Sequence, residues 1–303
     1  MSFGDLNRVN TNVQSMNSQF SLNKINRDLS NNQLRMSTGL RINRAEDDAA
    51  GYSIAAKLSS RIEGLDRAMQ NVGDAKSVLD IAETGIDKMM DLLIEMKGKA
   101  TQAANGTLGE TERGFIADQI SALAAEINEI SEQSIFQDIS LFGGTDGENT
   151  GALELTFQVG ERSSDTLTVE LTALNVSNLF AGAGAIDGID AVPAAGAAEM
   201  GSLVFDTFDG DTFNAFIDVV DAAINTLAET VNEIGISQSK LSIREETLST
   251  AITANSSARS RIQDADFAKE QSQSIRLQIL QQTATAALAQ ANAGPQAVLS
   301  FIR

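Results

Sequence analysis

Between Val9 and Met36, apolar side chains recur at steps that a helix brings to one side. They are Val9, Val13, Met16 and Phe20, then Leu22, Ile25, Leu29 and Met36. Spacings of three, four and seven predict an amphipathic helix here. The pattern is stronger over 65–96, where Leu65, Met69, Val72, Ala75, Leu79, Ala82, Ile86, Met89, Leu93 and Met96 are three or four apart throughout. A break is expected at AANGTLGE. Ile116, Ile120, Leu123, Ile127 and Ile130 predict the next helix, ending near the Gly-rich FGGTDGENTG.

The period then changes. Leu153, Leu155, Phe157 and Val159 alternate with polar neighbours, as do Leu167, Val169 and Leu171 after GERSSD. This predicts a β-hairpin. Residues 180–212 are rich in Gly and Ala and hold six acids but no Lys or Arg. They read as a loop-rich, solvated insert with one or two weak strands. Helical spacing returns at Ile217, Val220, Ile224, Leu227, Val231, Ile234, Gln238, Leu241, Glu245, Leu248 and Ile252. It has the character of a coiled-coil seam. Gln238 and Glu245 either fix its register or turn outward.

The last stretch, Asp264 to Arg303, places Leu277, Leu280, Ala284, Ala287 and Ala291 on a narrow seam, and ILQQTATAALAQAN within it has no charged residue. Isolated helices are marginal in water, and an Ala-lined seam suits close packing against other helices. The expected fold is mainly α: a long antiparallel helical bundle or coiled coil with a β-hairpin and a small Gly/Ala-rich acidic insert. Its first and last helices pair and need further partners. The physical reading is self-assembly through a terminal seam of Val13, Met16, Phe20, Ile25 and Leu29 with Leu277, Leu280, Ala284, Ala287 and Ala291.

One joint stands out. In STGLRINRAEDDAAGYSIAAKLSSRI a helix ends and another begins, and Arg41 and Arg44, preceded by Arg35, run into Glu46, Asp47 and Asp48. Acids at a helix start cap its free N–H groups and favour its dipole.

Composition narrows the function. The 303 residues include no Cys, His or Trp and carry a net charge of −19. That excludes a disulfide framework, a thiolate nucleophile, the usual zinc sites and a Ser-His-Asp triad. It also argues against nucleic acid, which needs a basic surface. Only Pro193 and Pro295 interrupt the chain, so long helices are permitted. No run of 18 apolar residues predicts a membrane span, and MSFGDLNRVNTNVQSMNSQF lacks the basic start and apolar core of a secretory signal peptide. Residues 1–45 hold six basic and two acidic side chains, and 265–303 hold three and two. The middle is strongly acidic, which suggests that the two ends belong together.

Other constellations have plain readings. Asp206, Asp209 and Asp211 lack the spacing and closing Glu of a calcium loop and read as a turn. Glu126, Glu129 and Glu132 read as a solvated helix face, and Met89, Met90 and Met96 as core filler. No catalytic, cofactor or metal site is expected. An enzyme using carboxylates has only the acid count behind it.

The chain closely resembles bacterial flagellin. The resemblance lies in MSTGLRINRAEDDAAGYSIAAKL, Met36 to Leu58, and in SRIQDADFAKE with QILQQTATAALAQANAGPQAVLSFIR, within Ser260 to Arg303. QAANGT, Gln102 to Thr107, and FQVG, Phe157 to Gly160, also fit. It covers about residues 1–178 and 213–303. It implies a filament subunit of the bacterial flagellum, extracellular and exported without a cleaved signal peptide. A hook–filament junction protein shares the same terminal helices and is the alternative, though the full C-terminal string favours the filament subunit. The implied domains are an inner coiled coil of 1–46 with 260–303, an outer core of 47–179 with 213–259, and a short surface insert over 180–212. The joint at Arg41, Arg44, Glu46, Asp47 and Asp48 would sit where subunits meet.

The implied partners are further copies of the chain, the flagellar export apparatus, an export chaperone on the C-terminal helix, and junction and cap proteins, with neither nucleic acid nor membrane. Many flagellins are also sensed by an innate Toll-like receptor, and strong agonists carry Arg and Leu on one helix and Glu on the next. Counting from QAANGT, the corresponding positions are Glu95, Lys99 and Gln119. The resemblance then implies weak receptor recognition.

Overall fold

The computed structural model describes residues 11–142, 152–181, 189–192 and 202–300. Val9, the turn beyond Phe142, Pro193, much of the Gly/Ala-rich insert and the last three residues lie outside the described residues. The elements are α1 (Val13–Thr38), α2 (Ala49–Ala103), α3 (Glu110–Gln133), β1 (Ile135–Phe136), β2 (Ile139–Ser140), β3 (Leu153–Gln158), β4 (Thr166–Leu171), α4 (Val176–Leu179), β5 (Ile189–Val192), β6 (Ser202–Phe205), α5 (Gly210–Gln263) and α6 (Phe267–Ser300). The chain forms two compact units, one of residues up to Ile62 with those from Thr253 on, the other Glu63–Ile252. No helix among the described residues is long and apolar enough to cross a membrane.

In the unit over 63–252, the stripe of α2 is the core. Leu65, Val72, Ala75, Leu79, Ala82, Ile86, Met89, Leu93 and Met96 are buried, and Met69 is half-buried. α2 breaks after Ala103, within AANGTLGE, and α3 buries Ile116, Ile120 and Ile127. Glu126, Glu129 and Glu132 are exposed.

In α5 the shared heptad positions Val220, Leu227, Ile234, Leu241 and Leu248 are buried. Between them the innermost residues are Ala223, Thr230 and Ser237, while Ile224, Val231 and Gln238 are only half-buried. The inner row is thus filled by small side chains. Thr230 remains satisfied within its own helix, its Oγ1 donating to Thr226 O at 2.9 Å. Gln238 Nε2 donates to Asp80 Oδ1 at 2.9 Å and Glu83 Oε2 at 2.8 Å. Glu245 accepts from Lys76 Nζ at 2.7 Å, and Asp221 from Lys97 Nζ at 2.5 Å. Both polar seam positions therefore reach across to α2. The order of the pairs shows that α2 and α5 run antiparallel.

The predicted hairpin is present. Leu153 faces Leu171, Leu155 faces Val169, and Phe157 faces Leu167. A second hairpin, β1–β2, turns through Gln137 and Asp138, both at positive φ. Such a turn matches strand twist, though it usually recruits Asn or Gly.

The insert corrects one expectation. Its strands β5 and β6 pair antiparallel, yet Ile189, Leu203 and Phe205 are buried. Phe205 stacks on Phe213 with centroids 5.3 Å apart and meets Phe216 edge-on at 5.3 Å. Ser121 Oγ on α3 donates to Leu203 O at 2.8 Å. The alternation of Ser202, Leu203, Val204 and Phe205 sends two apolar residues inward, which the acidic composition of the segment concealed.

Candidate assembly interface

In the terminal unit α1 packs on α6. Asn12 Nδ2 donates to Ala291 O at 2.8 Å, Gln281 Nε2 to Asn26 Oδ1 at 2.8 Å, and Asn32 Nδ2 to Glu270 Oε2 at 2.6 Å. The order of these pairs makes the two helices antiparallel. The facing row of α1 contains half-buried Leu22 and Ile25 and buried Leu29. That of α6 contains buried Leu277 and Ala291 and half-buried Ala284 and Leu288.

The predicted single stripe on α1 is two faces. Met16 is 63% exposed, Phe20 67% exposed, and Val13 and Leu34 are exposed with them. Phe20 and Leu29 are nine residues apart, about two and a half turns, so they point to opposite sides. The N-terminal apolar residues belong to the outer side, and the change of face falls between Phe20 and Leu22. On α6, Leu280 and Ala287 lie beside the facing row and are exposed. Ile275 and Ile279 are also exposed, and each is nine residues from an inward one, Ala284 and Leu288. Sequence reading missed this outer pair because the apolar residues of α6 are interspersed with Gln, Ser and Thr and gather on no single side.

The joint between α1 and α2 is built from backbone bonds and carboxylates. Gly39 ends α1 in the left-handed conformation at φ 72°, and its N–H donates to Arg35 O at 2.9 Å. The chain then runs beside the end of α5. Arg41 N donates to Gln263 O at 2.6 Å, Arg41 Nη2 to Ile262 O at 2.7 Å, and Ala265 N to Gly39 O at 2.8 Å. Asp47 Oδ2 accepts from Asn43 N at 3.0 Å and Arg44 N at 3.1 Å. Those bonds, Arg44 first, hold its carboxyl below the usual range, with Arg35 and Arg44 charges adding to them. Asp48 Oδ1 accepts from Gly51 N at 2.9 Å and so caps α2. A Cβ on Gly51 would stand 2.6 Å from Asp48 Oδ2 and 2.7 Å from Ile42 Cδ1, so only Gly fits. Arg44 and Glu46 are exposed and line an open groove with Arg27, Leu34 and Arg35.

In the other unit Glu95, Lys99 and Gln119 come together. They line one shallow groove between α2 and α3 with Leu92, Ala122, Leu123 and Glu126. Asp209 Oδ1 accepts from Gly210 N at 2.7 Å and Asp209 O from Phe213 N at 3.4 Å, so the Asp-rich segment runs directly into the first turn of α5.

The bacterial flagellin N-terminal helical region matches residues 9–147, and the C-terminal helical region of the same family matches 217–302. Flagellin of Bacillus subtilis strain 168 is 34% identical over 98% of this chain and 100% of its own length. The chain belongs to the bacterial flagellin family. The flagellar filament 33 kDa core protein of Treponema phagedenis is 30% identical, over 97% of this chain and 99% of its own. A solved structure described as a flagellar hook-associated protein from Vibrio parahaemolyticus shares the fold, with TM-score 0.56 and 16% identity, covering 72% of this chain and 100% of that one. As a flagellin, the chain is a structural subunit of the flagellar filament, outside the cell, and serves motility rather than catalysis.

Proposed function

We propose that copies of this flagellin join in the filament through the outer faces of α1 and α6 and across the charged joint. The observation that carries this is the second apolar side of α1. Met16 and Phe20 stand bare opposite a row that α6 already covers. Burying side chains of this size contributes roughly 1.5–3 kcal/mol each, so a neighbouring copy gains by covering them. Arg44 and Glu46, exposed at the joint, offer charges for a second copy to pair. On this reading residues 1–46 with 260–303 form the inner domain, 47–179 with 213–259 the outer one, and 180–212 the surface insert.

Phe20→Asp and Ile279→Asp test it. Each should abolish polymerisation while the helical signal of the monomer is kept. Filaments of ordinary length from both variants, at the concentration at which the parent assembles, would overturn the assignment.

Before assembly the same faces need cover. The export apparatus reads the N-terminal region, an export chaperone holds residues 264–303, and junction and cap proteins bound the filament. Titration calorimetry with the C-terminal segment removed should lose chaperone binding, and retained affinity would count against that role. The groove holding Glu95, Lys99 and Gln119 is where a Toll-like receptor would dock, weakly here because of its charges.

A further inference from the structure

Asn105 and Gly106 form the only Asn–Gly pair in the sequence. They lie in the turn between α2 and α3, where Asn105 is exposed. Thr107 N donates to Asn105 Oδ1 at 3.2 Å, and Arg113 Nη2 donates to Asn105 O at 3.1 Å. Among the described residues no hydrogen bond engages the Gly106 N–H. A Cβ on Gly106 would meet nothing within 4 Å. From these contacts we infer that Asn105 is a site of self-catalysed deamidation, and that its conversion releases Arg113 from the turn.

The chemistry needs only water. The Gly106 amide nitrogen gives up its proton and attacks Asn105 Cγ. Negative charge develops on Oδ1, where the Thr107 N–H already donates, and a donor held in place at that oxygen lowers the barrier. The side-chain nitrogen leaves as ammonia, and a five-membered imide closes. Water opens the imide at either carbonyl, leaving an aspartyl or an isoaspartyl residue. The sum is amide plus water giving acid plus ammonia. The Asx turn holds the side chain folded back over the following peptide, which is the arrangement that proximity rewards.

Asn43 in the joint is protected by contrast. The next N–H, that of Arg44, is bound to Asp47 and flanked by a full side chain. Asparagines inside helices have the following N–H committed to the helical ladder.

The isoaspartyl product routes the backbone through one extra methylene and displaces the Asn105 carbonyl. Arg113 loses that acceptor. The same guanidinium donates to Phe208 O at 3.4 Å and stands 3.9 Å from Asp209, so the turn before α5 is loosened with it.

The test is timed incubation of the full-length monomer at mildly alkaline pH, then mass analysis of the tryptic peptide running from Ala100 to Arg113. The peptide should gain the mass of OH replacing NH2, increasingly with time and mostly as the isoaspartyl form. Gly106→Ala, which the backbone and the empty space accommodate, should lose most of the conversion. An unchanged parent peptide, or equal conversion in Gly106→Ala, overturns the proposal. So does a sugar mass on Asn105, since Asn-Gly-Thr is also an N-glycan acceptor triplet. The separated isoaspartyl protein should unfold at lower urea than the parent, and an unchanged midpoint overturns the release of Arg113.

Discussion

The guanidinium of Arg35 on α1 stands 3.8 Å from the carboxylate of Asp47 in the joint. It also lies 3.9 Å from Glu270 of α6. One side chain thus meets acids from both sides of the terminal pair. Each contact is weak at these distances, and the stronger hold on Asp47 comes from two backbone N–H groups.

This has a pH consequence. The Asp47 carboxyl is held below its ordinary value of 3.8 in the folded chain, so the unfolded chain binds its proton more readily. Its contribution is fully present above that ordinary value and is lost as pH falls through the lower folded one. Asp47→Asn should cost about 0.5–1 kcal/mol at neutral pH, the usual difference between hydrogen bonds accepted by a charged and by a neutral oxygen at an exposed site. The difference from the parent should vanish under strong acid. Urea unfolding at several pH values, followed by circular dichroism, checks this, and a gap that persists in acid contradicts it.

Two classes of helical glycine should respond oppositely to alanine. A Cβ on Gly85 would sit 2.7 Å from Ser134 Oγ and 3.0 Å from a Phe142 ring carbon, whereas Gly98 and Gly235 face open space. Gly85→Ala should destabilise by about 1–3 kcal/mol through overpacking. Gly98→Ala and Gly235→Ala should each stabilise by roughly 0.5–1 kcal/mol. Denaturant midpoints of the three variants decide the matter.

Deleting residues 265–303 removes every partner that α1 has in α6. The shortened chain should remain monomeric with its 63–252 unit folded, because that core draws nothing from the deleted segment. Light scattering and electron microscopy provide the readout. Filaments at the usual concentration would refute assembly through the termini.

Receptor signalling should be weak. On the proposed receptor role of the α2–α3 groove, Glu95 and Lys99 would take the places of an Arg and a Leu in strong agonists, and Gln119 that of a Glu. A reversed or stranded charge at a buried contact costs about 2 kcal/mol or more. A reporter assay on depolymerised protein should show low potency, rising in the variant Glu95→Arg, Lys99→Leu, Gln119→Glu. Full potency in the parent, or no gain in a folded variant, contradicts the expectation.

Much of this architecture is legible from spacing. The stripe from Leu65 to Met96 is the core of α2 because large apolar residues at three and four steps leave a helix one way to bury them. The hairpin register follows from alternation for the same reason, since a one-residue slip would turn Leu155 and Val169 outward. The terminal strings carry the family.

Other features required the packed chain. Spacing marks a change of face at the two-residue step from Phe20 to Leu22, but it could not say which of the two apolar sides of α1 another helix covers. Ala223, Thr230 and Ser237 escaped notice because small and hydroxyl side chains give no apolar signal, and their burial comes from what the rest of the unit packs around them. Acidic composition hid Phe205, whose place depends on two phenylalanines of α5. The bonds of Arg41 to Ile262 and Gln263, more than 200 residues away, exist only once the ends of the chain meet. Local sequence determined the elements and their apolar rows, since these depend on backbone period and solvent. Tertiary structure decided which row is covered and which charge finds a partner, since these depend on what the rest of the chain brings alongside.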